Sequence, residues 1–86
     1  MGPDEIRARI RQKIAGMASI PVARVGPEMN LTAQLGLDSL QLYELAAAIE
    51  DEFSLPELKE EEVAGIETVG DVEARVMELL SVDSPE

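Results

Sequence analysis

The sequence predicts an all-α fold, a small bundle of three main helices plus one short helix. Three stretches repeat apolar residues at three- and four-residue spacings, the period of an amphipathic helix. The rest needs no strand: it holds turn-forming residues with no organising period. The chain has 86 residues, 45% of them hydrophobic, enough for one small core. Tyr43 and Phe53 are its only aromatics, so Leu, Ile, Val and Ala must fill that core. Short helices with narrow apolar faces do not stand alone in water and must pack against one another. With no internal repeat, Gly/Ser linker or low-complexity tract, the expectation is a single domain over 1–86, ordered from about 4 to 80.

The first helix should run from Asp4 to about Ala18, with Ile6, Ile10, Ile14 and Met17 inward and Arg7, Arg9, Arg11 and Lys13 elsewhere. Asp4 and Glu5 sit in its first turn, where carboxylates complement the positive end of the helix dipole, and Gly16 lies near its end. Residues 19–37 contain Pro21, Gly26, Pro27, Asn30 and Gly36 among isolated apolar residues. A connection that long is unusual in a compact domain. Its spaced Ile20, Val22, Val25, Leu31, Leu35 and Leu37 suggest a segment that packs across the helices.

The second helix should open at Asp38-Ser39 and reach about Phe53, placing Leu42, Leu45, Ala46, Ile49 and Phe53 on one face, with Pro56 soon after its end. A short turn of helix is expected around Lys59 to Ala64, closed by Gly65. Thr68, with Asp71 three residues on, reads as the N-cap of a last helix that turns Val69, Val72, Val76, Leu79 and Leu80 inward. Ser81 to Glu86 should fray.

Charge and composition narrow the function. Residues 1–37 hold five bases and three acids, a net of +2, while residues 38–86 hold two bases and fifteen acids, a net of −13, giving −11 in all. A polyanion would be repelled, so nucleic acid is not an expected partner, and any protein partner should be basic. The chain has neither His nor Cys. That excludes Ser–His and Cys–His nucleophiles and thiolate or imidazole metal sites, and no stretch has the spacing of a calcium loop, so neither catalysis nor a bound metal is expected. The missing cysteines also fit a reducing compartment. The N-terminus has no basic region followed by an apolar run, and Ile6 stands where a myristoylation signal needs Ser or Thr. The longest apolar run near the middle, Leu45 to Ile49, is far short of the ~20 residues of a bilayer span. The expected protein is soluble, cytoplasmic and monomeric.

One position stands apart. In Leu35-Gly36-Leu37-Asp38-Ser39-Leu40, Asp38 is a good N-cap, Gln41 three residues on completes a capping box, and Gly36 permits a tight approach. Local structure alone could account for these. Yet a hydroxyl in the first turn of a helix stands beside unpaired backbone N–H groups and the positive dipole end, where a phosphoester is stabilised. Ser39 has no general base of its own, so any chemistry there must be done by another enzyme.

Gly36-Leu37-Asp38-Ser39-Leu40 resembles the Gly-x-Asp-Ser-Leu motif at the start of helix 2 in the acyl carrier proteins. The likeness extends over essentially the whole chain: an amphipathic helix, a long loop, the motif, an acidic helix ending in Phe53, a short acidic helix and a closing helix. It implies that Ser39 receives 4′-phosphopantetheine from coenzyme A as a phosphodiester, attached by a magnesium-dependent phosphopantetheinyl transferase. Acyl groups would then ride on the arm's thiol as thioesters, bringing thiol chemistry to a chain without cysteine. Asp38 matches the family's acidic residue beside the serine, which helps present it to the transferase. By position, Leu40, Tyr43, Glu44, Ala47, Glu50 and Asp51 match the exposed face that family members offer to the transferase and to synthase enzymes with basic docking patches. Gln41 stands where the fatty-acid carriers usually have Asp, and Tyr43 and Ala47 where aliphatic residues are usual, which leans toward a polyketide or other specialised acyl pathway and leaves fatty-acid synthesis open. The competing reading is an acidic helical interaction module in which Ser39 is only part of a helix cap.

Overall fold

The computed structural model of the protein describes residues 2–80, so the fraying expected over Ser81 to Glu86 lies outside the described residues. Four α-helices follow in order: α1 (Pro3–Ala18), α2 (Ser39–Phe53), α3 (Glu60–Ala64) and α4 (Val69–Leu80), with a turn of 3-10 helix at Val22–Arg24. Among the described residues there is no strand, only an isolated antiparallel bridge between Asn30 and Thr68.

Pro3 opens α1 with its φ already helical and without an N–H to waste, and Asp4 and Glu5 follow in the first turn. Ile6, Ile10 and Ile14 form a stripe with no solvent exposure, and Ala15 joins it. Met17 is half-buried against the same core. The helix stops beyond Gly16, at Ser19, whose left-handed backbone (φ 60) turns its N–H onto the carbonyl of Ala15.

The long connection packs across the helices, as most of its spaced apolar residues suggest: Val25, Leu31 and Leu37 are buried and Ile20, Met29 and Leu35 rest on the core, whereas Val22, expected among them, is exposed in the 3-10 turn. Asn30 organises it. Its Oδ1 accepts from the N–H groups of Thr32 (2.9 Å) and Ala33 (2.7 Å), and the Gln34 side chain in turn accepts from the Asn30 N–H. Leu31 N donates to Glu67 O at 2.8 Å and Val69 N to Met29 O at 3.0 Å, sewing the segment to the start of α4. The tight approach expected at Gly36 is found elsewhere. A Cβ on Gly36 would meet nothing within 4 Å, and what the position needs from glycine is its φ of +75. The close contact is at Gly70, where a Cβ would lie 3.0 Å from the carbonyl oxygen of Pro27.

On α2, Leu45, Ala46, Ile49 and Phe53 are buried as the spacing predicts, while Leu42 is half-buried at the edge of the stripe. The short helix α3 starts one residue beyond the expected Lys59 and buries only Val63. The buried face of α4 is wider than expected: Val69, Val72 and Val76 are inside and Leu80 is half-buried against the core, as is Leu79 at its edge, but Glu73 and Met77 are buried with them. Glu73 is accommodated there because Arg11 of α1 holds its carboxylate through Nε (2.6 Å) and Nη2 (3.3 Å).

The bases of α1 spend their charge inside the molecule. Arg9 bridges Glu5 and Glu52, each at 2.8 Å, Lys13 approaches Glu52 at 3.3 Å, and Arg7 lies 3.4 Å from Asp4. Arg9 and Lys13 thus tie α1 to α2, and the hydrogen bond from Arg9 chiefly holds the Glu52 carboxyl below its ordinary pKa.

Candidate functional site

Ser39 is the first residue of α2, and the helix start around it is complete without its hydroxyl. Asp38 caps with extended backbone and accepts from Gln41 N at 2.8 Å, while Gln41 Oε1 accepts from Asp38 N at 3.1 Å. Both members of the expected capping box are therefore in place, and Ser39 is exposed and takes no part in it. The N–H groups of Ser39 and Leu40 lie at the open end of the helical ladder, where they favour an anion. The residues present fit a phosphodiester on Ser39: an exposed hydroxyl, unspent donors beside it, and a backbone fixed by neighbouring side chains. Gly36 at φ +75 turns the chain just ahead of the buried Leu37 and this helix start.

Along the same helix, Leu40 is 66% exposed and Tyr43 40%, and Glu44, Ala47 and Asp51 are exposed too. These five form one outward face with Ser39 at its head. Glu50 does not share their freedom. It is half-buried, and its Oε2 accepts from the Leu58 N–H at 2.7 Å, because the chain leaving α2 folds back along the helix and brings an unpaired donor to it. Partial burial and the neighbouring Glu60 carboxylate push the Tyr43 hydroxyl above its usual pKa.

Behind this face an apolar cavity of about 20 Å³ lies between α2, α3 and α4. Leu42, Leu45 and Ile49 wall one side, Leu58 and Val63 the second, Val72 and Val76 the third. A volume that small holds about one water, so as folded it is a narrow seam. One charged residue lines it: Arg75, whose guanidinium pairs with Glu62 of α3 and with Glu78 at 2.7 Å. Sequence reading missed both Arg75 and Leu58. Arg75 lies three residues beyond Val72, at the edge of the apolar stripe where a long side chain can lay its stem along the cavity and keep its charge outside. Leu58 carries no periodic signal. Among the described residues no cluster of acidic side chains could hold a metal ion, and no helix is long and apolar enough to cross a membrane.

Comparison with known proteins agrees with this geometry. The family model for a phosphopantetheine attachment site matches residues 8–76. An acyl carrier protein of Saccharopolyspora erythraea is 38% identical over the whole of this chain and 97% of its own length. The meromycolate extension acyl carrier protein of Mycobacterium tuberculosis is 34% identical over 88% of this chain, a match that takes in 65% of that protein. A solved structure assigned as an acyl carrier protein of Mycobacterium tuberculosis superposes with a TM-score of 0.74 over 90% of this chain and 96% of its own, at 27% identity. With a helix start built around a free serine and a whole-length match to named carriers, the chain belongs to the acyl carrier proteins, the family that works through a phosphopantetheine arm.

Proposed function

We propose that Ser39 is the residue that carries the arm, and that the outward face of α2 is where partner enzymes dock. The observation that carries the assignment is that Asp38 and Gln41 close the helix cap by themselves. A serine needed only for capping would have its hydroxyl in the box. Here it is left over, exposed, at the end of a helix whose dipole favours the negative charge of a phosphodiester. The arm supplies a thiol on which acyl groups travel as thioesters. The chain's own residues hold the attachment point, offer Asp38 beside it to the transferase, and supply negative charge along α2.

The docking face joins the exposed apolar side chains Leu40 and Tyr43 to the acids Glu44 and Asp51, with Glu50 at its margin. Among the described residues neither Glu44 nor Asp51 has an ion-pair partner within the chain. Their charge is available to a basic patch on a transferase or synthase, with Leu40 and Tyr43 as the apolar contact at its centre. The narrow seam behind α2 has no room for an acyl chain as folded, which supports a carrier whose cargo rides outside on the arm or enters only after α2 and α3 part.

Intact mass tests the assignment. The protein is incubated with coenzyme A, magnesium and a broad-specificity phosphopantetheinyl transferase, in parallel with Ser39→Ala. A gain of one phosphopantetheine by the wild type alone is the expected result. Equal gain by Ser39→Ala, or none by folded protein whose starting mass shows no arm already in place, overturns it.

A further inference from the structure

The chain holds two lysines, Lys13 and Lys59, and treats them differently. Lys13 is half-buried on α1, and its ammonium lies 3.3 Å from the Glu52 carboxylate. Lys59 is exposed just ahead of α3, and among the described residues it makes no ion pair. Its backbone N–H donates to Glu62 Oε1 at 3.0 Å, while the other oxygen of that carboxylate is held by Arg75. Of the two side-chain amines, only that of Lys59 is left open to reaction.

Lys59 also stands near the head of α2. The cavity behind the helix is lined both by Leu42, three residues after Ser39, and by Leu58, the residue before Lys59. On the other side of Lys59, the Glu60 carboxylate neighbours Tyr43, which lies roughly 6 Å along the helix axis from Ser39. Leu55 and Ile66 pack on the core to either side of this segment and Leu58 lines the cavity, so the position of Lys59 is fixed. A phosphopantetheine arm of about 14 bonds from serine oxygen to sulfur spans roughly 16 Å at the rise of an extended chain, and a lysine stem adds about 6 Å. That reach covers the gap from Ser39 to Lys59. The Lys13 amine is held at Glu52, roughly 20 Å along the axis from Ser39, at the limit of the arm and with its charge already paired.

We propose that Lys59 is an acyl acceptor for the arm of its own chain, a modification site for acyl groups activated as thioesters. The acceptor role rests on the carrier reading above, since Ser39 must hold the arm. The neutral Lys59 amine attacks the thioester carbonyl carbon. A C–N bond forms, the C–S bond breaks, and the sulfur leaves as a thiol with the proton that the nitrogen sheds. Nothing is oxidised or reduced, and no further reactant is needed. Lys59 ends as an amide without charge, which leaves residues 38–86 with Arg75 as their one base against fifteen acids. The amide persists where the thioester is labile, so cargo that waits too long on the arm is recorded at Lys59.

The test starts from protein loaded by a broad-specificity transferase with acetyl-coenzyme A, which installs the arm with its acetyl group in place. The loaded protein is held at pH values from about 7 to about 9, because an amine attacks only when neutral. Hydroxylamine then strips acetyl held as thioester and leaves acetyl held as amide, and peptide mapping by mass locates what remains. Acetyl-lysine at Lys59 is the expected product, forming faster as pH rises. Lys59→Arg, which keeps the charge without a nucleophilic amine, should form at least about tenfold less amide, and Lys13→Arg as much as the wild type. At about 10 μM protein, a tethered concentration in the millimolar range should favour transfer within the chain about a hundredfold over transfer to unloaded Ser39→Ala mixed in and resolved by intact mass. Loss of acetyl to water alone, amide on Lys13 or another amine at the level of Lys59, undiminished amide in Lys59→Arg, or equal labelling of Ser39→Ala overturns the acceptor role. The carrier reading is read out earlier, by the mass gain on loading. No gain overturns both, whereas gain followed only by hydrolysis overturns Lys59 as acceptor and leaves the carrier standing.

Discussion

Glu73 is the one charged residue buried in α4, 5% exposed, and its two hydrogen bonds to Arg11 are what make that tolerable. Removing the base leaves the acid without a partner, a larger loss than the pair itself contributes. Arg11→Ala should therefore lower stability by about 2 kcal/mol in urea unfolding. Glu73→Gln should lower it less, since a carboxamide still accepts from the guanidinium, and a loss in Glu73→Gln equal to that in Arg11→Ala would count against this account. Two glycines give a contrast in sign. Gly16 lies in the exposed interior of α1 with nothing within 4 Å of a would-be Cβ, so Gly16→Ala should add up to about 1 kcal/mol of helix propensity. Gly70→Ala would gain the same propensity but drive a methyl to 3.0 Å from the Pro27 carbonyl, which is itself fixed by accepting the Gly70 N–H at 2.8 Å. The backbone must shift, and we expect a net loss of about 1 kcal/mol. The sequence alone does not separate these two glycines, because the distinction is the long-range neighbour. The helix start at Asp38-Ser39 was legible for the opposite reason, being written in a few consecutive residues.

At the scale of elements, α4 begins with a reciprocal cap: Asp71 N donates to Thr68 Oγ1 at 3.1 Å, and Asp71 Oδ2 accepts from the N–H groups of Glu67 (3.0 Å) and Thr68 (3.1 Å). Thr68→Ala should cost about 1 kcal/mol. The bonds from Glu67 and then Thr68 hold the Asp71 carboxyl below its ordinary value of 3.8. Its ionised form is thus favoured by folding, so its contribution is complete above pH 3.8 and is lost as pH falls through the lower folded value. The stability difference between the wild type and Asp71→Asn should accordingly shrink as pH drops below 3.8, and a difference constant down to pH 2 would contradict it. Both caps, at Asp38 and at Thr68, were legible because capping is written in residues three apart. The burial of Glu73 was not. It stands four residues after Val69, on the buried side of the helix, but an acid there reads as exposed, and its partner Arg11 comes from α1, 62 residues away in sequence. The packed segment 19–38 was legible as apolar and not as a path, since its backbone is ordered by one asparagine and by bonds to a helix more than thirty residues away.

For the whole molecule the decisive quantity is where charge is left uncompensated. The net −11 is gathered in the second half of the chain, and the bases of α1 are already engaged with Asp4, Glu5, Glu52 and Glu73. Self-repulsion should therefore be felt at low ionic strength, and the urea midpoint should rise when sodium chloride is increased to about 0.15 M, where screening acts over about 8 Å. Transferase modification should respond in the opposite direction, slowing with salt as steering is lost. Glu44→Lys with Asp51→Lys should slow it several-fold in low salt with helix content by circular dichroism unchanged. Unchanged rates would remove the outward face of α2 from docking.

The bridge between Asn30 and Thr68 has a consequence for how the molecule comes apart. It closes a loop that holds α2 and α3, and α2 is fastened a second time, to α1, through Arg9, Lys13 and its buried face, whereas α3 buries one side chain. Within the loop α3 can therefore loosen while α1, α2 and α4 persist, and the amides of Leu31 and Val69, which close it, should then exchange only with global unfolding. The outward face of α2 would then stay with the protected part of the molecule through many rounds of opening at α3.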